Sequence, residues 1–168
     1  YDEMPTTMLS TSVPHHQHQP AMELRERAKD IMVACGMQEV IAYSLTSLTA
    51  LEKTQPTEGG IRPLKVANPM SGEQEYLRTT LRSSILSTLA GNQTTRRDGL
   101  RRFEVGPVYL PRPSDLALER LVDLPLERET LVGVMAGPRW PEGWLGSEES
   151  LDFYDAKGVM ETFLGQLK

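Results

Sequence analysis

Apolar positions recur at three- and four-residue spacing through "AMELRERAKDIMVACGM", which places Ala21, Leu24, Ala28, Ile31, Met32 and Cys35 on one side of a helix. Pro20 suits the first turn, where its missing N–H loses no bond, and Gly36 suits a left-handed C-terminal cap. The period then shortens. "EVIAYSL" is a short apolar run with β-branched and aromatic residues and predicts a strand. "TSLTALEKT" predicts a short helix with Thr46 or Ser47 as N-cap. "QPTEGG" reads as a turn, and "IRPLKVAN" as a second strand that Pro63 confines to a sheet edge.

In "NPMSGEQEYLRTTLRSSILSTLAGNQTTR", Ser71 and Gln74 have the spacing of a capping box at a helix start. Leu81, Ile85, Leu86 and Leu89 then mark a second amphipathic helix. "LRRFEVGPVYL" predicts a strand, with Pro107 at a bulge or edge point. "PRPSDLALERLVDLPLE" reads as a connecting excursion and "TLVGVMAG" as a buried strand ending at Gly137. "PRWPEGWLGSEES" is a loop, and its two tryptophans are expected to pin it onto a surface. In "LDFYDAKGVMETFLGQL", Ala156, Val159, Met160, Phe163, Leu164 and Leu167 form an unbroken apolar face. Asp152 fits that helix as N-cap, and Asp155 lies in its first turn near the positive end of the dipole. Helices followed by antiparallel-looking strands, without strict βαβ alternation, indicate an α+β domain.

A chain of 168 residues with 39% hydrophobic and 24% charged positions fits one soluble globular domain rather than a disordered segment. No apolar run approaches the ~20 residues of a membrane span. The single cysteine, Cys35, excludes an internal disulfide, fits a reducing cytoplasm, and reads as a structural thiol on the helix stripe. Residues 1–20 lack periodicity and read as an extended linker or arm, leaving 21–168 as the core domain. His15, His16 and His18 in that arm find no cysteine or further histidine nearby to complete a metal shell. The chain opens on Tyr1 rather than Met, as a fragment of something longer would.

The net charge of −5 argues against a nucleic-acid surface, although Arg96, Arg97, Arg101 and Arg102 cluster and leave an RNA contact open. Neither a G-x-x-x-x-G-K-[ST] loop nor a G-x-G-x-x-G turn occurs. All three histidines lie in the arm, away from any serine or cysteine nucleophile in the core. Asp152, Asp155 and Lys157 remain as a possible acid–base–lysine set, which would make this a self-contained enzyme or cofactor-binding domain. The competing reading is a capped helix start.

Several stretches, taken in order, resemble one family. "YDEMPTTM" is similar to a "GYD-x-IP" turn, and "LRERAKDIMVACGMQEVIAYSL" to the helix and strand that follow it. "VANPMSGEQEYLRTTLRSSILSTLAGN" resembles an "NP-hydrophobic-S-x-E…LRTSL…LL…L-x-x-N" stretch, "RRFEVGPVYL" an "LFE-x-G-x-V" strand, and "DFYDAKGVME" a "DF-x-D-x-KG" helix start. Together they resemble the B6–B7 core of the bacterial phenylalanyl-tRNA synthetase β subunit, over nearly the whole chain.

That resemblance implies a class II aminoacyl-tRNA synthetase-like domain, an antiparallel sheet flanked by helices, here degenerate and ending before the third class II signature. It implies a non-catalytic core of the phenylalanine–tRNA ligase β subunit, scaffolding an (αβ)2 heterotetramer with the α subunit. The parent assembly binds tRNA(Phe) and uses ATP and Mg2+, with the β subunit's magnesium-associated acids lying before Tyr1. The family-motif positions are Asn68, Pro69, Arg78, Glu104, Gly106, Asp152, Asp155, Lys157 and Gly158, expected to be structural or interfacial rather than catalytic, cofactor-binding or metal-ligating. In the related catalytic subunit an arginine that engages ATP phosphate follows the "G-x-VY" strand. Leu110 takes that position here, and leucine has no donor for a phosphate.

Overall fold

The structure, a computed structural model, describes residues 2–7, 10, 12, 17–54, 61–93, 99–112, 124–141, 143–144 and 149–167. Helix α1 spans Pro20–Ala34, with proline at its start as the sequence suggests. It ends in a Schellman turn: Gly36 takes φ +77°, Met37 N–H bonds Met32 O at 3.1 Å, and Gly36 N–H bonds Val33 O at 2.9 Å. Strand β1 (Gln38–Glu39) follows, then β2 (Leu45–Thr46) and α2 (Leu48–Glu52). Ser47 caps α2 by accepting from Ala50 N–H at 3.2 Å, which selects one of the two expected N-caps. Next come β3 (Tyr76–Leu77), α3 (Arg82–Gln93), β4 (Leu100–Leu110), β5 (Leu126–Ala136) and α4 (Phe153–Gln166).

The main sheet has the order β1-β4-β5 and is mixed, since β1 runs parallel to β4 while β4 and β5 are antiparallel. β2 and β3 form a separate antiparallel pair. Alternation along β4 assigns its two faces. Phe103 and Val105 point to one side, where Ala28, Ile31 and Met32 of α1, Met37, and Phe163 of α4 form the core. Glu104, Gly106, Val108 and Leu110 fall on the other, toward Arg78 and the α3 side. The domain is thus a sheet with α1 and α4 on one face and α3 against the other.

Several expected elements differ. "EVIAYSL" is not one strand: Glu39 ends β1, Leu45 begins β2, and between them Ile41 and Tyr43 are 89% and 79% exposed. "IRPLKVAN" contributes only an isolated bridge from Lys65 to Tyr76. Ser71 and Gln74 close a turn, Gln74 N–H to Ser71 O at 3.1 Å, and the helix starts only at Arg82. Glu75 and Tyr76 are drawn instead into pairing with Lys65 and β2, so tertiary pairing overrides the cap signal. Pro107 forms no bulge, because β4 and β5 stay in one-to-one register throughout. Tyr109 N–H and Phe103 O bond away from β5, so the N–H that Pro107 lacks lies on that side too and no ladder bond is lost.

The tryptophans pin nothing among the described residues: Trp140 and Trp144 are 56% and 95% exposed. The last helix buries only Phe163 fully, with Val159 and Leu167 half-buried and Met160 and Leu164 exposed. β5 starts earlier than "TLVGVMAG" suggests and is only half-buried, although Gly137, at φ +90°, does end it. The turn at 55–60 and most of the excursion after Leu110, residues 113–123, lie outside the described residues. Phe103 is wholly buried at the centre of the core. Phe103→Ala is expected to lower stability by about 3–5 kcal/mol in urea denaturation, the usual cost of emptying a fully buried aromatic site.

Candidate functional site

Arg78 is the point where the small β-pair meets the main sheet. Its N–H donates to Ser44 O and its carbonyl accepts from Tyr109 N–H, both at 2.9 Å. Its side chain turns into the same seam. Nη1 donates to Glu104 Oε1 at 2.5 Å, and Nε donates to Pro107 O at 2.9 Å. Arg78 and Glu104 are 3% and 2% exposed, so the pair is shielded from solvent. Gly106 makes room for it, because a Cβ built there would lie 2.6 Å from Arg78 Nη2. Three positions of the sequence motif thus meet at one contact, across 26 residues of chain between Arg78 and Glu104.

Beside this seam an open cleft of about 720 Å³ runs between residues 40–50 and α3. Its apolar wall includes Val40, Ile41, Ala42, Leu45 and Ala50, and its polar wall Ser47, Ser83, Ser84, Ser87 and Thr88. Among the described residues that line it, Arg78 is the only cation and Glu73 the only acid. Sequence reading missed the hydroxyl face of α3. The signal was present in "RSSILST", but serines on a helix carry no chemistry until a neighbour closes a cleft over them.

The start of α4 is a second cluster. Asp152 Oδ1 accepts from Tyr154 N–H at 2.7 Å and Asp155 N–H at 3.2 Å, while Asp155 Oδ2 accepts from Asp152 N–H at 2.8 Å. This is a reciprocal capping box with aspartate at both ends. Arg139, which no sequence pattern singles out, clamps it. Its Nη2 lies 3.0 Å from Asp155 Oδ2 and 3.4 Å from Asp152 Oδ2, and its Nη1 lies 2.9 Å from Glu149 Oε2. The Asp152 N–H, and after it the Arg139 guanidinium, hold the Asp155 carboxyl below its ordinary value of 3.8. Both acids are therefore occupied as cap and ion-pair acceptors.

Lys157 turns away from that cluster, pairing with Glu161 at 3.4 Å one turn along, with its side chain 52% exposed. Gly158 faces open space. Asn68 and Pro69 sit on an exposed bend. Arg101 donates from Nη2 to Arg139 O at 2.6 Å, and Arg102 bonds its neighbour's carbonyl at 3.3 Å, while Arg96 and Arg97 lie outside the described residues. His18 pairs with Glu23, and His15 and His16 are not described. Among the described residues, no three His, Cys, Asp or Glu side chains come together as metal ligands would. No helix among them is long and apolar enough to cross a membrane.

The family model described as "Phenylalanyl tRNA synthetase beta chain CLM domain" matches residues 4–168. The chain belongs to this family. Relatives that share 35% and 36% identity with it are phenylalanine–tRNA ligase β subunits from Syntrophotalea carbinolica and Geobacter sulfurreducens, each aligned over 98% of this chain. The chain spans about a fifth of their length, 20% in both cases. Among solved structures, a pyrrolysyl-tRNA synthetase from Desulfitobacterium hafniense superposes with a TM-score of 0.60 at 18% identity. The superposition covers 88% of this chain and 46% of that one. The fold is therefore class II synthetase-like, α+β as the residue pattern indicates.

Within this family domain the two clusters generate separate expectations. Gly106→Ala should push Arg78 off Glu104 and lower stability by about 1–3 kcal/mol in chemical denaturation, as overpacking at a rigid contact does. Asp152→Ala should cost about 1 kcal/mol, the ordinary worth of a helix N-cap. Because the Asp155 pKa is lowered by folding, its contribution is complete above the unfolded value and is lost as pH falls through the lower folded value. Asp155→Asn should accordingly flatten the acid limb of the stability curve below about pH 4.

Proposed function

We propose that the domain is a non-catalytic core of a phenylalanine–tRNA ligase β subunit, scaffolding an (αβ)2 heterotetramer in the cytoplasm. Residues 21–168 are its packing body and residues 1–20 the arm that leads into it. The assembly joins phenylalanine to tRNA(Phe) with ATP and Mg2+, and the adenylating site belongs to the α subunit. The motif positions Arg78, Glu104 and Gly106 serve this domain's own architecture, and Asp152 and Asp155 serve the cap of α4.

The observation that carries the reading is the fate of the arginine. A triphosphate needs cations with uncommitted donors. Arg78 spends Nη1 on Glu104 and Nε on Pro107 O, inside a seam nearly closed to solvent. At the end of β4, where the resemblance places a phosphate-binding arginine, stands Leu110, in register with Leu126. These residues do not fit ATP, and the acids beside Arg139 are already engaged and do not fit Mg2+. The enzyme alternative fares worse on the same geometry, because Lys157 pairs with Glu161 rather than with Asp152 or Asp155.

Packing against an α subunit calls for a partly apolar surface, commonly about 1,600 Å² buried in total. Met22, Leu24 and Val33 on α1, and Met160 and Leu164 on α4, are exposed apolar side chains available for such packing. The test is co-purification of the tagged chain with a phenylalanine–tRNA ligase α subunit, beside calorimetry of the chain with ATP. A stoichiometric complex and no heat from ATP are expected. Stoichiometric ATP binding at micromolar affinity would overturn the non-catalytic reading.

A further inference from the structure

We infer that the cleft between residues 40–50 and α3 binds a small organic cation, a primary ammonium carried on a compact apolar body. The inference does not depend on the assembly role and concerns a wall of α3 that the motif residues leave unused. Its basis is a count of donors and acceptors. Ser84 Oγ donates its proton to Leu81 O at 3.1 Å, and Thr88 Oγ1 donates to Ser84 O at 3.0 Å. Each hydroxyl has thereby spent its donor on the helix and keeps lone pairs free to accept. Glu73 adds an exposed carboxylate to the lining. Arg78, the only cation among the described lining residues, is turned to Glu104 and Pro107 O.

Ser83 supplies the independent observation. It lines the cleft and is only 4% exposed, yet its Oγ has no hydrogen-bond partner in the protein. A buried hydroxyl left unmatched carries its desolvation cost uncompensated, and a ligand hydrogen bond would recover it. An ammonium brings three donors and no acceptor, which suits the free lone pairs of Ser84 and Thr88 and the Glu73 carboxylate. A phosphate or carboxylate would meet the Glu73 carboxylate instead. The opposite wall, with Val40, Ile41 and Leu45, accommodates the apolar body, and the volume lies within the range of small-molecule sites.

The test is an amide chemical-shift titration of the full chain with 3-methylbutylamine, run beside 3-methyl-1-butanol and 4-methylpentanoate at matched ionic strength. Saturable shifts at the amides of Ala42–Ser47 and Ser83–Thr88 are expected with the amine, and none with the carboxylate. Glu73→Gln, at an exposed turn that does not support the core, should weaken amine binding about tenfold by removing a charged acceptor. Ser83→Ala should weaken it as well while the spectrum stays dispersed. Equal binding of the alcohol, stronger binding of the carboxylate, an unaltered affinity in Glu73→Gln, or no saturable shift at these amides would each overturn the proposal.

Discussion

One buried ion pair holds the two halves of this domain together. Residue 78 touches both sheets at once: its N–H reaches Ser44 beside β2, its carbonyl reaches Tyr109 on β4, and its guanidinium reaches Glu104 and Pro107. Removing two opposite charges from water is expensive, and an apolar pair of similar volume is often as stable. Losing either partner alone is the costly event, because it strands an unpaired charge in the interior. Such a pair therefore constrains the fold more than it stabilises it. It fixes where "LRT" must dock on "FEVG", and it requires glycine at position 106. The charge of an arginine committed in this way is already matched by Glu104.

The two faces of β4 divide the work. Its odd positions meet α1 and α4 through Phe103 and Val105 and build the apolar core. Its even positions carry the polar seam and end at Leu110. α4 is then secured from both ends. Its start is capped by Asp152 and Asp155 under the Arg139 clamp, and near its end Arg27 Nη2 donates to Gln166 O at 2.6 Å. A cation at a helix C-terminus also complements the dipole there. The acids that looked like half of a catalytic set belong to this anchoring.

Sequence pattern reached the long elements and the capped α2 but missed the short strands, for physical reasons. α1, β4 and α4 have enough residues to display a period, and Pro20 and Gly36 mark the ends of α1 through their own backbone chemistry. β1, β2 and β3 have two residues each, too few to show alternation, and "EVIAYSL" reads as a single strand because it is apolar throughout. The Ser71–Gln74 pattern is a true local signal overruled by the pairing of Tyr76 with Leu45–Thr46 and Lys65. Within the site, Arg78, Glu104 and Gly106 stood out only through family resemblance, and nothing local shows that residues so far apart in the chain would touch. Arg139 carried no signal at all, and Ser83 stood in a run of hydroxyls with nothing yet to mark it as a cleft wall. Their roles come from loop closure and from a cleft, which exist only once the chain is folded.

A double-mutant cycle measures directly whether Arg78 is spent on Glu104. Stabilities of the parent chain, Arg78→Met, Glu104→Leu and the double variant would be obtained by urea denaturation under one set of conditions. Each single change is expected to cost about 3–5 kcal/mol, and the double variant to recover at least about 2 kcal/mol of their sum. Additive losses within about 0.5 kcal/mol would mean the two side chains are not coupled, and would contradict that pairing.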